Sequence, residues 1–265
     1  MGYSFTIPKI GEDTNYDSVK FSKDCSRFAL SDGVTNSSYQ KEWADLLTEY
    51  FIEKPFSDSK IISDTELQDW IYPIQVKWDQ SVPWKDLEDS TKNPFYLYEK
   101  AQLGAGATFL GGEIKKIENK KILKAWALGD TNLFVIRQNN NLISFPIRES
   151  KYFSTKTDQF VSIPHDIASP NKIISYYGEI KSLELEILED DIIICSTDSI
   201  SAWYLQNLES NHLLKYNPMR LLVETPWNQL LKITNLEEFK EFIKKKINTE
   251  KMKNDDSTIF VLRIK

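Results

Sequence analysis

Phe28-Ala29-Leu30-Ser31-Asp32-Gly33 is an apolar run that ends on a carboxylate and a glycine, and two distant stretches share its character. Ile192-Ile193-Ile194-Cys195-Ser196-Thr197-Asp198 again runs apolar into aspartate. In Asp255-Asp256-Ser257-Thr258-Ile259-Phe260-Val261-Leu262 the carboxylates come just before the run. Short apolar runs bounded by polar turn residues read as buried strands. Carboxylates at strand ends, drawn from distant parts of a chain, are what a hard divalent cation needs: the strands fix position and the oxygens supply charge. One such junction is ordinary turn chemistry. Three of them, with a glycine after the first and a second aspartate in the third, make a metal site the leading functional idea.

Around these junctions the texture alternates between strand and helix. Strand signals fall at 19–21 and 26–31, and Thr35-Asn36-Ser37-Ser38 then suits a turn and an N-cap. Trp43, Leu46, Leu47, Tyr50 and Phe51 recur at helical spacing up to Pro55. A second helix is expected from Thr65 through Trp70, Ile74 and Trp78, capped near Thr65-Glu66, interrupted by Pro73 and ended by Pro83. Residues 84–93 read as a polar loop and 96–103 as a short helix. Strands follow at 108–117, 121–128 and 132–137, separated by polar turns as in an antiparallel meander. After an irregular 150–172, strands resume at 182–188 and 191–196. Helices are expected at 200–208 and 236–247, and a last strand at 258–264. No linker, repeat or low-complexity tract divides the chain. The expectation is one α+β domain over 1–265, with two packed sheets and helices on their outer faces.

The 265 residues can bury a sizeable core, and 41% hydrophobic with 27% charged residues describes an ordinary globular protein. A formal net charge of −6 implies no basic face, which argues against nucleic acid as a partner. No stretch approaches the ~18 apolar residues of a membrane span. No signal peptide opens the chain, and Met1-Gly2-Tyr3-Ser4-Phe5-Thr6 fits a myristoylation pattern only formally, since no basic cluster follows. A cytoplasmic protein is expected. Cys25 and Cys195 sit in apolar strand-like runs and read as buried thiols of a reducing compartment. They share no metal spacing with His165 and His212, which read as loop residues. Of the seven Trp, Trp43, Trp70 and Trp203 fall at core spacing, whereas Trp84 and Trp227 lie beside prolines. Lys244-Lys245-Lys246 reads as the solvated end of the last helix.

The same junctions carry a family resemblance over nearly the whole length. Ser31-Asp32-Gly33 looks like the Asp-Gly metal motif of the PP2C-type (PPM) metal-dependent serine/threonine protein phosphatases. Gly104-Ala105-Gly106-Ala107-Thr108 resembles that family's Gly-x-x-Thr strand entry, and Leu128-Gly129-Asp130-Thr131 its Gly-Asp-Ser element. Ser196-Thr197-Asp198-Ser199 stands where the family has a second Asp-Gly, and Asp255-Asp256-Ser257-Thr258 resembles its closing Asp-(Asn/Asp)-x-Thr. With Phe145-Pro146 after the Gly-Asp strand, the layout is most similar to bacterial members. The resemblance implies a four-layer α-β-β-α sandwich with two central antiparallel sheets and a binuclear Mn²⁺ or Mg²⁺ centre. On that pattern Asp32 would bridge both ions, the Gly33 carbonyl would bind one, and Asp198 and Asp255 would hold the other. Asp130 would help bind a third, weaker ion, and Asp17 would belong to the metal shell.

Such chemistry suits these residues. Two cations ~4 Å apart can share a water, lower its pKa and aim it at phosphorus, so Asp32 and Asp198 would act through an activated water. Oxygen-only ligands favour Mg²⁺ or Mn²⁺ over zinc. The chain departs from the pattern at several positions. Asn15-Tyr16-Asp17 stands in place of Asn-Glu-Asp, with Glu12-Asp13 as the nearest substitutes. No Arg precedes it to grip phosphate, and Lys9 lacks the bidentate fork. Val34 stands where some members carry a His. Loss of supporting residues commonly costs ~10- to 100-fold, so a slow or strongly Mn²⁺-dependent enzyme is expected. The expected substrate is a phosphoprotein made by a Ser/Thr kinase. The alternatives are a pseudophosphatase that binds a phosphoprotein without efficient hydrolysis, and a small-molecule phosphomonoesterase. The helical segment 55–95 is a candidate specificity flap.

Overall fold

Strands buried on both faces must be apolar throughout, and that requirement explains the near-continuous apolar runs. The computed structural model describes residues 2–34, 37–56, 62–89, 95–138, 141–153, 158–162, 176–213, 226–250 and 252–265. The strands, in chain order, are β1 (Gly2–Ile7), β2 (Ser18–Phe21), β3 (Arg27–Ser31), β4 (Ala105–Ala107), β5 (Phe109–Ile117), β6 (Lys120–Leu128) and β7 (Asn132–Ile136). There follow β8 (Leu142–Phe145), β9 (Gln159–Ser162), β10 (Tyr176–Tyr177), β11 (Lys181–Ile187), β12 (Ile192–Ser196) and β13 (Ser257–Arg263). The helices are α1 (Gln40–Glu53), α2 (Asp64–Ser81), α3 (Trp84–Glu88), α4 (Phe95–Gln102), α5 (Asp198–Leu213), α6 (Pro226–Leu231) and α7 (Leu236–Glu250).

Two five-stranded antiparallel sheets dominate, in the orders β11-β6-β5-β3-β2 and β1-β13-β12-β7-β8. A small third sheet runs β10-β9-β4. The period of two along each strand sorts side chains into layers. In β13, Phe260 and Leu262 point between the large sheets, while Ile259 and Val261 face the helices. In β6, Ala125 and Ala127 point inward, and Trp126 and Leu128 outward. Phe28 and Phe260 stack across the sheets with centroids 5.1 Å apart. On one outer face α1 and α2 bury Trp43, Phe51, Trp70 and Trp78 over Phe109 and Trp126. On the other, α5 and α7 bury Trp203, Tyr204, Phe239 and Ile243 over Phe134 and Val261. The result is the four-layer α-β-β-α sandwich.

Several local expectations need correction. Ser37 and Ser38 do not cap α1: Ser37 Oγ donates to Val34 O in the preceding turn, and Ser38 N–H donates to Gly104 O across the fold. Tyr39 takes the cap position in left-handed backbone, φ 55°. The cap of α2 is Ser63, which exchanges bonds with Glu66 in a capping box, and the helix continues through Pro73. Residues 84–88 form α3 rather than loop. Cys25 lies in the β2–β3 turn at φ 57°, not in a strand. Cys195 is fully buried, and both thiols are free. Lys246 is 5% exposed: its Nζ lies over the Trp203 ring, 5.1 Å from the centroid, and donates to Gln229 Oε1 at 2.6 Å; Lys244 and Lys245 are exposed. Trp84 and Trp227 are half-buried, and His165 and most of 154–175 lie outside the described residues.

The inner layer leaves no spare volume at Gly112. A Cβ there would lie 2.1 Å from Phe28 Cζ, in a ring stacked on Phe260. Gly112→Ala should lower unfolding free energy by roughly 1–3 kcal/mol, read as a lower urea midpoint at unchanged slope.

Candidate metal centre

Thr108 is the pin that holds the first junction in place. Its N–H donates to the Asp32 carbonyl at 2.9 Å, its Oγ1 receives the Asp32 N–H at 3.3 Å, and its carbonyl accepts from Ser31 Oγ at 2.6 Å. The Thr108 and Thr131 hydroxyls lie 2.6 Å apart, which ties the Gly129-Asp130-Thr131 turn to the same point. Gly33 bridges to Ala107, and Val34 N–H donates to Gly106 O. A Cβ on Gly33 would meet Tyr16 O at 3.0 Å and Gln40 Cγ at 3.0 Å, so only glycine lets the 15–17 loop approach this closely.

The second and third junctions are joined by a pair of threonines. Thr197 N–H donates to Thr258 O at 3.2 Å, and Thr258 N–H donates to Thr197 Oγ1 at 3.1 Å. Thr197 Oγ1 in turn donates to Asp17 Oδ2 at 3.0 Å. Asp256 is spoken for structurally: its carboxylate accepts from Lys9 N–H at 2.8 Å and Tyr16 N–H at 2.6 Å. Asp255 instead accepts from the Asp256 N–H at 3.1 Å through Oδ1 and turns Oδ2 to Lys253. Asp198 is the first residue of α5, where the helix dipole favours negative charge.

The carboxylates feel one another strongly. Burial, followed by the charges of Asp17, Asp198, Asp130 and Asp255, pushes the Asp32 carboxyl well above its ordinary range. Asp17 is 2% exposed, and burial together with the Asp256 charge raises it to about 8, although the hydroxyls of Thr258 and Thr197 oppose the shift. Asp198 is also raised by burial, against the pull of Lys253. The Lys253 ammonium bonds Asp198 Oδ2 at 3.0 Å and Asp255 Oδ2 at 2.5 Å. Among the described residues, no three His, Cys, Asp or Glu side chains are gathered closely enough to hold a metal ion as they stand. Two oxygens nevertheless lack partners in buried positions, Asp17 Oδ1 and Asp198 Oδ1. A buried carboxylate oxygen without a donor is costly, and a cation would satisfy it. In donor type the set fits a hard divalent ion, namely carboxylates and the Gly33 carbonyl.

The 15–17 loop brings Asp17 into the cluster but not the flanking substitutes. Glu12 and Asp13 are exposed, and Glu12 pairs with Lys9 at 3.2 Å on the outside. Lys253 and Asp256 were not singled out by sequence. Asp256 was visible only as half of an acidic pair, and no local pattern marks Lys253.

No protein-family model matches this sequence, and no curated protein does either. Solved structures match over the full chain. The crystal structure of a bacterial serine phosphatase aligns at 14% identity and TM-score 0.52, covering 100% of this chain and 97% of that one. The catalytic domain of the serine/threonine protein phosphatase PstP, solved with two manganese ions, aligns at 12% identity and TM-score 0.52, covering 100% and 98%. Stp1 from Staphylococcus aureus, a serine/threonine phosphatase, aligns at 13% and 0.51, covering 100% and 94%. The chain therefore has the fold of the bacterial PP2C-type phosphatases.

Asp17 generates a pH dependence with a definite sign. Its proton is held up to about 8 in the fold but is lost near 4 in the unfolded chain, so the fold binds more protons between those values. Metal-free protein should lose stability as pH rises from about 4 to 8. Asp17→Asn should flatten that fall and melt ~5 °C or more above the parent at pH 8 in chelator, by scanning fluorimetry. Parallel pH profiles would contradict the assignment.

Proposed function

We propose that the chain is a phosphoprotein phosphatase for phosphoserine and phosphothreonine, built as one domain over residues 1–265 and dependent on two Mn²⁺ or Mg²⁺ ions. The observation that carries the reading is a pair of buried carboxylate oxygens without a partner, Asp17 Oδ1 and Asp198 Oδ1, at joined strand ends of this fold, with Asp32 raised by burial and by its acidic neighbours. The two manganese ions of the PstP structure support the choice of ion. Asp32, the Gly33 carbonyl, Asp198 and Asp255 would hold the pair, with Asp17 behind them and Asp130 contributing to a third, weaker ion. When bound, the ions supply neutralising charge to the phosphoryl oxygens and acidify water at the site.

The chain's own residues do the positioning. Thr108 holds Asp32 by two contacts and the preceding Ser31 by a third, and the Thr197–Thr258 exchange fixes Asp198 relative to Asp255. Such preorganisation lets the carboxylates stay close without reorganising during reaction. Val34 has no proton to give, so the departing alkoxide takes its proton from water. Phosphate grip lacks an arginine fork, and Lys9 faces Glu12 instead. Both features favour a slow enzyme.

Hydrolysis of a chromogenic aryl phosphate and of a phosphothreonine peptide, with and without Mn²⁺, tests the proposal. Mn²⁺-dependent turnover is expected, and Asp32→Ala or Asp198→Ala should each reduce it at least ~100-fold. No turnover above those variants, or peptide retention without hydrolysis, would overturn it in favour of a phosphoprotein-binding module.

A further inference from the structure

Lys253 sits where an all-carboxylate centre would not be expected to hold a protein cation. Its Nζ reaches Asp198 Oδ2 at 3.0 Å and Asp255 Oδ2 at 2.5 Å. Those two carboxylates come from different elements, the start of α5 and the turn before β13. A positive charge already bridges them, as a metal would. The lysine stem is exposed, with 63% of its side chain in solvent, whereas Asp198 and Asp255 expose 16% and 27%. The ammonium is held by ion pairs from a side chain that is mostly in solvent, and a divalent ion brings twice its charge to the same oxygens. Asp198 Oδ1, buried and unpartnered, is beyond what the lysine satisfies.

We propose that Lys253 is a tethered counter-cation that occupies the Asp198–Asp255 subsite in the metal-free protein and competes with the metal for it. Lys253 thereby sets the affinity of that subsite. This rests on reading the carboxylate cluster as a metal centre. Without metal the ammonium offsets Asp198–Asp255 repulsion and keeps the strand ends together. With metal it must leave, so that part of the binding energy is spent on displacing it. The subsite is therefore weaker than its oxygen donors alone would make it.

The test is Mn²⁺ titration of the full chain by calorimetry, with free Mn²⁺ followed by electron paramagnetic resonance, for the parent, Lys253→Met and Lys253→Arg. Lys253→Met should bind its weaker Mn²⁺ about tenfold tighter. In chelator it should melt lower than the parent, and its melting point should rise more on adding Mn²⁺. Lys253→Arg keeps the charge and should bind like the parent. Equal or weaker binding by Lys253→Met, with the parent binding Mn²⁺, would overturn the role of the lysine and leave the metal centre standing. Tenfold tighter binding by Lys253→Arg would contradict competition through charge. No Mn²⁺ binding by any of the three would remove the metal centre itself, and the inference with it.

Discussion

Burial of Asp17, Asp32 and Asp198 close to other carboxylates is the constraint to which the site's architecture answers. Like charges that are partly desolvated drive each other's pKa upward and disfavour the compact state. The chain offsets this with fixed local dipoles and one ammonium. Threonine hydroxyls at Thr197 and Thr258 oppose the upward shift of Asp17, the α5 N-terminus receives Asp198, and Lys253 bridges Asp198 to Asp255. Asp256 draws the N-terminal loop onto the C-terminal strand through the Lys9 and Tyr16 amides. That clasp places Asp17 beside residues some 180 positions away, at Thr197.

The layered fold gives these contacts a rigid frame. Both central strands that carry junctions, β3 and β12, are flanked by partners on each side and buried on each face. Their ends cannot drift without breaking ladder bonds and core packing together. Three apolar layers, one between the sheets and one under each helical face, fix the sheets relative to each other. Among the described residues no helix is long and apolar enough to cross a membrane.

Much of this was legible because the decisive patterns are local. The runs at 28–30, 192–195 and 259–262 are strands at the expected places. Trp43, Trp70 and Trp203 are core residues, as their spacing implies. The rest is non-local or lacks a pattern. β4 is three small residues, Ala105–Ala107, with no alternation to read. β1 is an edge strand whose side chains are mostly half-buried, so its polarity masks it. The turn before α1 is tied by Gly104 O to the Ser38 N–H from across the fold, and Tyr39 takes the cap. Lys253 looks like any lysine of a polar turn; only the folded chain sets it between two carboxylates.

Hydroxyls, backbone amides and one lysine tie these acidic strand ends together, and the proposed function makes them a centre for divalent cations. The most direct check is anomalous scattering from crystals of the chain soaked in Mn²⁺. Two strong peaks are expected among the carboxylates of Asp32, Asp198 and Asp255, with the Gly33 carbonyl on one ion and the Lys253 ammonium moved off Asp198. Clear density for the carboxylates with no anomalous peak between them, and Lys253 still in place at saturating Mn²⁺, would contradict the account.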